Sequence, residues 1–301
     1  MTSNQSHKAV VFGSISIDKI INKHGKFSNI LGGSAAYALL ANKKNTCELV
    51  GVVGDDFQKN HFNLLSEHSI TTGSLTKLDG NTFSWGGEYK DDFSSRKTLY
   101  VDPGVSESYL PNLSENSKNC PYLLLGNTAP HLQTDLLNQM QNNPFVLLDT
   151  FKLYIDIANE ELKALIKRVD LFCINFNEAR AITGKDGSNL IEMAISILDL
   201  GPKSVIIKDG ENGSHFFDSQ NNFSIKAFPV DKVIDTTGAG DAYIGGVLMG
   251  KINGKNILES MKVGAVMASF CIEGVGIDGL LKINEAEFSK RLEWISDNHT
   301  S

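Results

Sequence analysis

The chain has no run of lysine and arginine, no apolar stretch of membrane-spanning length, and no paired metal-ligand motif among its 7 histidines and 4 cysteines. Each absence excludes something. With 28 Lys+Arg against 35 Asp+Glu, a formal net charge of −7, neither nucleic acid nor an anionic membrane is expected as a partner. A nucleotide substrate stays open, because it needs only local positive potential. Residues 1–8 are polar and lack an apolar signal core, and nothing spans a bilayer, so a cytoplasmic location is expected. Cys47, Cys120, Cys173 and Cys271 lie far apart, mostly in apolar contexts, and read as buried free thiols rather than disulfides. No His-x-x-x-His or Cys-x-x-Cys spacing occurs, which argues against zinc.

What is present suits a globular enzyme. The 301 residues are 41% hydrophobic and 21% charged, enough for a sizeable core. Strand patterns over 8–12, 48–53, 122–125, 145–148, 171–174 and 204–207 alternate with helix patterns over 34–43, 55–68, 132–141, 154–167 and 190–198. This alternation predicts βαβ units, hence a doubly wound, mainly parallel α/β sheet with helices on both faces. Extra strands are expected at 213–217 and 223–228, and helices at 242–250, 257–272 and 284–296. Residues 74–101 suggest short antiparallel strands, and with the polar, β-prone segment at about 16–31 they predict a small β-rich flap on one main domain covering 1–301.

The most informative string is Asp235-Thr236-Thr237-Gly238-Ala239-Gly240-Asp241, which opens an apolar helix. Glycine lets backbone approach a ligand closely, and the free N–H groups of a helix start attract anions. A carboxylate there is poorly suited to holding an anion, but well suited to taking a proton from a nucleophile beside it. An anion cradle next to a base is what phosphoryl transfer to a hydroxyl requires. The structural alternative is a capped turn with Asp241 as an ordinary first-turn acid. A second glycine-bearing helix start is Leu31-Gly32-Gly33-Ser34-Ala35-Ala36-Tyr37. It suits a polar ligand or, equally, close helix packing.

Taken whole, the seven-residue string resembles the second signature of the ribokinase-like (PfkB-type) carbohydrate kinase family, and residues 31–38 resemble the first. The resemblance implies a ribokinase-like fold and an ATP-dependent kinase that transfers the γ-phosphate to a hydroxyl of a small sugar. It further implies Asp241 as catalytic base, with the backbone of Gly238, Ala239 and Gly240 as anion hole. Gly32 and Gly33, with Ser34, would touch the acceptor. Asp18, just past the first strand, would hold its hydroxyls, a turn-forming Asp being the structural alternative. The family usually has Asn where this chain has Tyr37, which would pack against the acceptor or stack on a base. A nucleoside kinase is therefore the alternative reading, and a non-catalytic sugar- or nucleotide-binding paralogue a third, which retention of Asp241 argues against.

Asn175-Phe176-Asn177-Glu178 matches the family's Asn-x-x-Glu motif, in which Asn175 faces the phosphates and Glu178 orients Mg²⁺-bound water. The same residues fit a helix capping box. Lys208 and Gly210 would line the adenine and ribose side of the ATP pocket, largely through backbone, although this stretch also reads as a plain turn. Asp235 and the Thr237 carbonyl correspond to a K⁺ site in relatives, and a homodimer through the lid is compatible with the family. Gly245 to Ile252 imitates a P-loop, but Ile252 stands where Ser or Thr must reach Mg²⁺, and the string lies within a helix. Tyr243 likewise breaks a dinucleotide fingerprint starting at Gly238. Arg96 and Lys97 read as a solvated charge pair, with closure over an anionic substrate as the alternative.

Overall fold

The computed structural model describes residues 8–71, 74–185 and 189–298. The polar stretch 1–8 read above lies, apart from Lys8, outside them. The chain starts with β1 (Ala9–Phe12), β2 (Ser16–Asn22), β3 (Gly25–Gly32), α1 (Ser34–Leu40), β4 (Cys47–Val53), α2 (Lys59–His68) and β5 (Leu75–Lys77). A hairpin of β6 (Ser84–Tyr89) and β7 (Arg96–Asp102) follows. Then come α3 (Glu115–Lys118), β8 (Tyr122–Leu125), α4 (Pro130–Gln139), β9 (Phe145–Asp149), α5 (Lys152–Ile157) and α6 (Asn159–Ile166). After β10 (Leu171–Asn175), α7 (Phe176–Thr183), α8 (Leu190–Leu198) and β11 (Ser204–Lys208), the chain adds β12 (Ser214–Asp218) and β13 (Asn222–Ile225). It ends in α9 (Ala239–Ile252), α10 (Ile257–Cys271), α11 (Asp278–Leu281) and α12 (Glu285–Asn298).

All four residues of β1 are buried, which a strand sustains only if both its faces are covered. Ala9 and Val11 enter one core, Val10 and Phe12 the other, following the alternation of a pleated strand. Leu171 and Cys173 of β10 likewise oppose Phe172 and Ile174. Helices α1, α9 and α10 cover the first face, and α4, α6, α7 and α8 the second. The large sheet runs β13-β12-β11-β10-β9-β8-β1-β4-β5, parallel except for the hairpin edge of β12 and β13. Since β1 lies between β8 and β4, the winding reverses there and opens a crevice at the carboxyl ends of the strands.

The small sheet runs β3-β2-β6-β7. The antiparallel strands expected within 74–101 are present as the β6–β7 hairpin. The two hairpins are antiparallel, but β2 pairs with β6 in parallel, because the chain visits the large sheet between them. Residues 75–77, expected in the flap, instead pair with β4 as β5, where Leu75 is buried. The helix expected from residue 55 starts at Lys59, since Asp55 and Asp56 accept hydrogen bonds from Gly80 and Thr82 and fasten the loop instead. The helix expected over 154–167 is broken at Ala158, whose φ of −133° is not helical. The last expected strand ends at Ile225 rather than 228, where pairing with β12 stops. All four cysteines are free and buried. Among the described residues no helix is long and apolar enough to cross a membrane.

Candidate active site

Three polar residues end neighbouring parallel strands: Asp149 on β9, Asn175 on β10 and Lys208 on β11. Register places Asn175 beside Lys208 and Asp149 beside Cys173. The Lys208 ammonium donates to Asp149 at 3.0 Å, with both side chains nearly buried. Burial alone would lower the lysine's proton affinity, but Asp149 and, further off, Cys173, Glu178 and Asp241 raise it, so Lys208 stays charged. A Cβ added to Gly240 would lie 3.0 Å from that ammonium. The lysine therefore reaches the glycine turn with its side chain, whereas a backbone contact on the adenine side was expected. Gly210 has a φ of +56° and open space around it, as a turn residue at the cleft edge. Asp149 was missed from the sequence. Its only signal was a carboxylate at the carboxyl end of a parallel strand.

The seven-residue string forms the start of α9. Gly238 is the N-cap with a left-handed φ of 75°, a conformation glycine adopts without a Cβ penalty. Ala242 N–H donates to the Gly238 carbonyl at 2.8 Å and Ala239 N–H to the Thr236 carbonyl at 3.3 Å. The N–H groups of Gly238, Gly240 and Asp241 have no protein acceptor among the described residues. Ala239, expected in the anion hole, thus has its N–H engaged in the turn. Burial, then the charge of Asp149, raises the Asp241 carboxyl to about 7, against the opposing pull of Lys208 and Arg96.

Below the turn, Asp235 is fully buried. Its Oδ1 accepts from the Thr237 N–H at 2.9 Å and hydroxyl at 2.7 Å, and its Oδ2 from the Gly276 N–H at 2.9 Å. The Thr237 hydroxyl in turn accepts from Tyr89 at 2.8 Å, tying the small sheet to the turn. The Thr237 carbonyl accepts the Cys271 thiol at 3.6 Å.

Glu178 is 4% exposed and fulfils the capping box: its N–H donates to Asn175 Oδ1 at 2.9 Å and its Oε2 accepts the Asn175 N–H at 3.2 Å. Its carboxyl still lines the cleft, raised to about 7 by burial and by Asp149. On the opposite wall Asp18 is 4% exposed, and its Oδ1 has no protein partner. Burial raises it to about 7, offset in part by the Ser16 hydroxyl. A Cβ at Gly32 would collide with that carboxylate, and one at Gly33, whose φ is +94°, with the Ser14 carbonyl. The glycine pair therefore makes room for Asp18 and closes α1 onto the end of β1. Ser34 is engaged structurally, its hydroxyl donating to the Asn127 carbonyl at 3.1 Å. Tyr37 is 1% exposed and its ring packs under Gly238. It supports the glycine turn from below and also borders the cleft.

Asp18, Gly33, Asp149, Asn175, Glu178, Lys208 and the turn from Thr236 to Asp241 share one cleft of about 1530 Å³, which Gly32 and Asp235 do not line. Pockets for a single drug-sized ligand are roughly 300–1,000 Å³, so there is space for two reactants together. N–H groups without a protein acceptor and a lysine stand at one end, and a carboxylate oxygen without a protein partner at the other, an arrangement that suits a phosphotransferase. The profile of the pfkB family of carbohydrate kinases matches residues 6–283, and the chain belongs to that family, whose members phosphorylate an alcohol of a sugar or nucleoside. The chain is 28% identical over 267 residues to the cytidine kinase of Thermococcus kodakarensis, covering 85% of this chain and 92% of that one. It is 24% identical over 301 residues to the ATP-dependent 6-phosphofructokinase of Thermoanaerobacterium thermosaccharolyticum, covering 91% and 90%. A provisionally assigned Ribokinase II of E. coli, solved in complex with ATP and Mg²⁺, superimposes with a TM-score of 0.78 at 15% identity over 96% of this chain and 99% of that one. The fold is ribokinase-like, with the small sheet as its lid.

Proposed function

We propose that this chain transfers the γ-phosphate of ATP to a hydroxyl of a small sugar or sugar derivative, with Asp241 as general base. The observation that carries the reading is the start of α9, where free N–H groups and a carboxyl near neutrality stand side by side. A base of that proton affinity is half ionised at working pH, close to the optimum for general base catalysis. The acceptor hydroxyl would give its proton to Asp241 as its oxygen attacks the γ-phosphorus and the bond to the β-phosphate oxygen breaks. The N–H groups of Gly238, Gly240 and Asp241, with the Lys208 ammonium, would stabilise the charge on the transferring group. Asp18 Oδ1, buried without a protein partner, would accept from acceptor hydroxyls placed over Gly32 and Gly33.

Mg²⁺ entering with the nucleotide would neutralise phosphate charge. Among the described residues no group of three metal-ligating side chains exists, which suits an ion held mainly by phosphates and water. Glu178, assisted by Asp149, would orient that water, while Asn175 faces the phosphates. A monovalent cation beside the turn belongs to the same reading, with Asp235 and the Thr237 carbonyl as ligands. Asp235 is a buried carboxylate with no lysine or arginine partner among the described residues, and a hard cation would match its oxygen. Equal rates in K⁺ and in tetramethylammonium would remove that part.

The lid also supports a homodimer, because β7 is one of its two unpaired edges among the described residues and exposes Leu99, Tyr100 and Val101 at 39%, 41% and 39%. A monomer in sedimentation at micromolar concentration would count against it. The reading as a whole places the protein in the cytoplasm, where ATP is present and its free thiols stay reduced. The decisive experiment is acceptor-dependent ADP release over a panel of sugars and nucleosides. Asp241→Asn should lower kcat by about 10²–10⁴ while nucleotide still binds in calorimetry. A variant retaining more than about a tenth of the rate would overturn the assignment of Asp241.

A further inference from the structure

Three cations line the cleft: Arg96, Lys152 and Lys208. Lys208 is paired with Asp149, and Lys152 with Asp156 at 2.7 Å. Among the described residues Arg96 forms no ion pair, although carboxylates stand along the same cleft. It begins β7, opposite Tyr89, and its guanidinium carbon lies 5.2 Å from the centroid of Trp85 and 5.0 Å from that of Phe151. Trp85 belongs to the lid, and Phe151 follows the end of β9 in the large sheet. One ring from the lid and one from the loop that leaves the large sheet therefore flank one planar cation. Stacked this way, the guanidinium uses its faces on protein; the Tyr89 hydroxyl takes up part of its N–H edge, and the remaining N–H groups are left for a ligand, a geometry that fits carboxylate or phosphate oxygens.

Resting on the kinase reading above, we propose that the acceptor carries an anionic group, a carboxylate or a phosphate ester, and that Arg96 receives it. The location separates this group from the γ-phosphate. The transferring phosphoryl group already has the N–H donors of the α9 start and the Lys208 ammonium. Arg96 instead rides on the lid, and its ring partner Trp85 pairs in register with Asp18, the residue at the acceptor's hydroxyls. The positive field of Arg96 reaches Asp18 and Asp241 alike, favouring their ionised forms, so it stands between the acceptor pocket and the point of transfer. An anionic acceptor entering a cleft walled by Asp18, Asp149, Glu178 and Asp241 meets repulsion along those carboxyls, and Arg96 is the lining cation that no carboxylate among the described residues neutralises. The guanidinium therefore selects for the charge and fixes which hydroxyl faces Asp241.

The test uses matched pairs: D-glucose with D-gluconate, D-fructose with D-fructose 6-phosphate, and D-ribose with D-ribose 5-phosphate, alongside cytidine as a neutral nucleoside. ADP release is measured for wild type, Arg96→Gln and Arg96→Lys. In wild type the anionic member of at least one pair should exceed its neutral partner in kcat/KM by about 10-fold or more, the size expected of a charge-assisted hydrogen bond. Arg96→Gln should abolish that ratio through the acceptor KM, and Arg96→Lys should restore it in part. Gluconate and the phosphate esters tell the two kinds of anion apart. Neutral acceptors preferred throughout, or a ratio unchanged by Arg96→Gln, would overturn the proposal. So would a fall in kcat shared by all acceptors at unchanged KM, since Arg96 would then act on the phosphoryl group. If no acceptor releases ADP, the kinase reading itself fails. Calorimetric titration of the same pairs then decides Arg96: an anion preference lost in Arg96→Gln supports it, and its absence in wild type overturns it.

Discussion

Tyr37 carries a hydroxyl that is buried without a protein hydrogen-bond partner, under a glycine whose left-handed turn its ring supports. Removing an unpartnered buried hydroxyl is close to neutral, whereas removing the ring leaves a cavity. Tyr37→Phe should therefore match or slightly exceed wild-type stability, and Tyr37→Asn should lose about 2–4 kcal/mol in urea unfolding. Wild-type stability in Tyr37→Asn would show that the ring is not a support. At Asp241 the prediction concerns pH. The ionised form is the base, so kcat/KM should rise with pH through about 7, the value to which burial and Asp149 raise this carboxyl. The small residual activity of Asp241→Asn should lack that limb; a shared limb assigns it to another group. The motif residues themselves were legible one by one, because helix starts and strand ends carry local chemistry. Tyr37 was not, since which ring face meets which turn depends on how α1 packs against α9.

At the scale of elements, the glycines of α9 explain the string that imitates a P-loop. An added Cβ on Gly245 would meet the Ala38 carbonyl at 2.6 Å, on Gly246 the Gly264 Cα at 2.8 Å, and on Gly250 the Ser260 Cα at 2.6 Å. They let α9 lie against α1 and α10, and have no part in a phosphate site. Alanine favours an isolated helix over glycine by about 1 kcal/mol, but here overpacking should win. Gly246→Ala is expected to lower stability by about 1–3 kcal/mol and to leave the ATP KM unchanged. A raised Tm would mean the helices can separate freely. Asn175 and Glu178 teach a related lesson: the capping box and the cleft carboxylate are the same residues, and one geometry fulfils both readings.

For the whole molecule, the cleft gathers carboxyls that the fold holds at raised proton affinity. Asp18, Glu178 and Asp241 each stand at about 7, burial being the leading cause, while an unfolded chain releases those protons near pH 4. Between these values the folded state binds more protons, so stability falls as pH rises. The ligand-free protein should melt several degrees higher at pH 5.5 than at pH 7.5. Glu178→Gln should flatten part of that slope. A Tm independent of pH across this window would mean that these carboxyls are solvated in the free protein. The same crowding of acids makes Arg96, the cleft-lining cation without an ion pair among the described residues, informative.

The sequence alone determined the alternation that builds the parallel sheet, and the placement of Gly32, Asn175, Glu178 and Asp241 at strand ends and helix starts, whereas Asp18, expected just past β1, lies inside β2. Those features depend on residues adjacent in the chain, where side-chain periodicity and backbone freedom act directly. Tertiary structure alone decided which partners meet: Asp149 with Lys208, Tyr89 with Thr237, Tyr37 with Gly238, and Arg96 between Trp85 and Phe151. It also paired β2 with β6 in parallel across an intervening excursion through the large sheet. Each of these contacts joins distant segments, and no local pattern encodes a distance that exists only once both cores have packed.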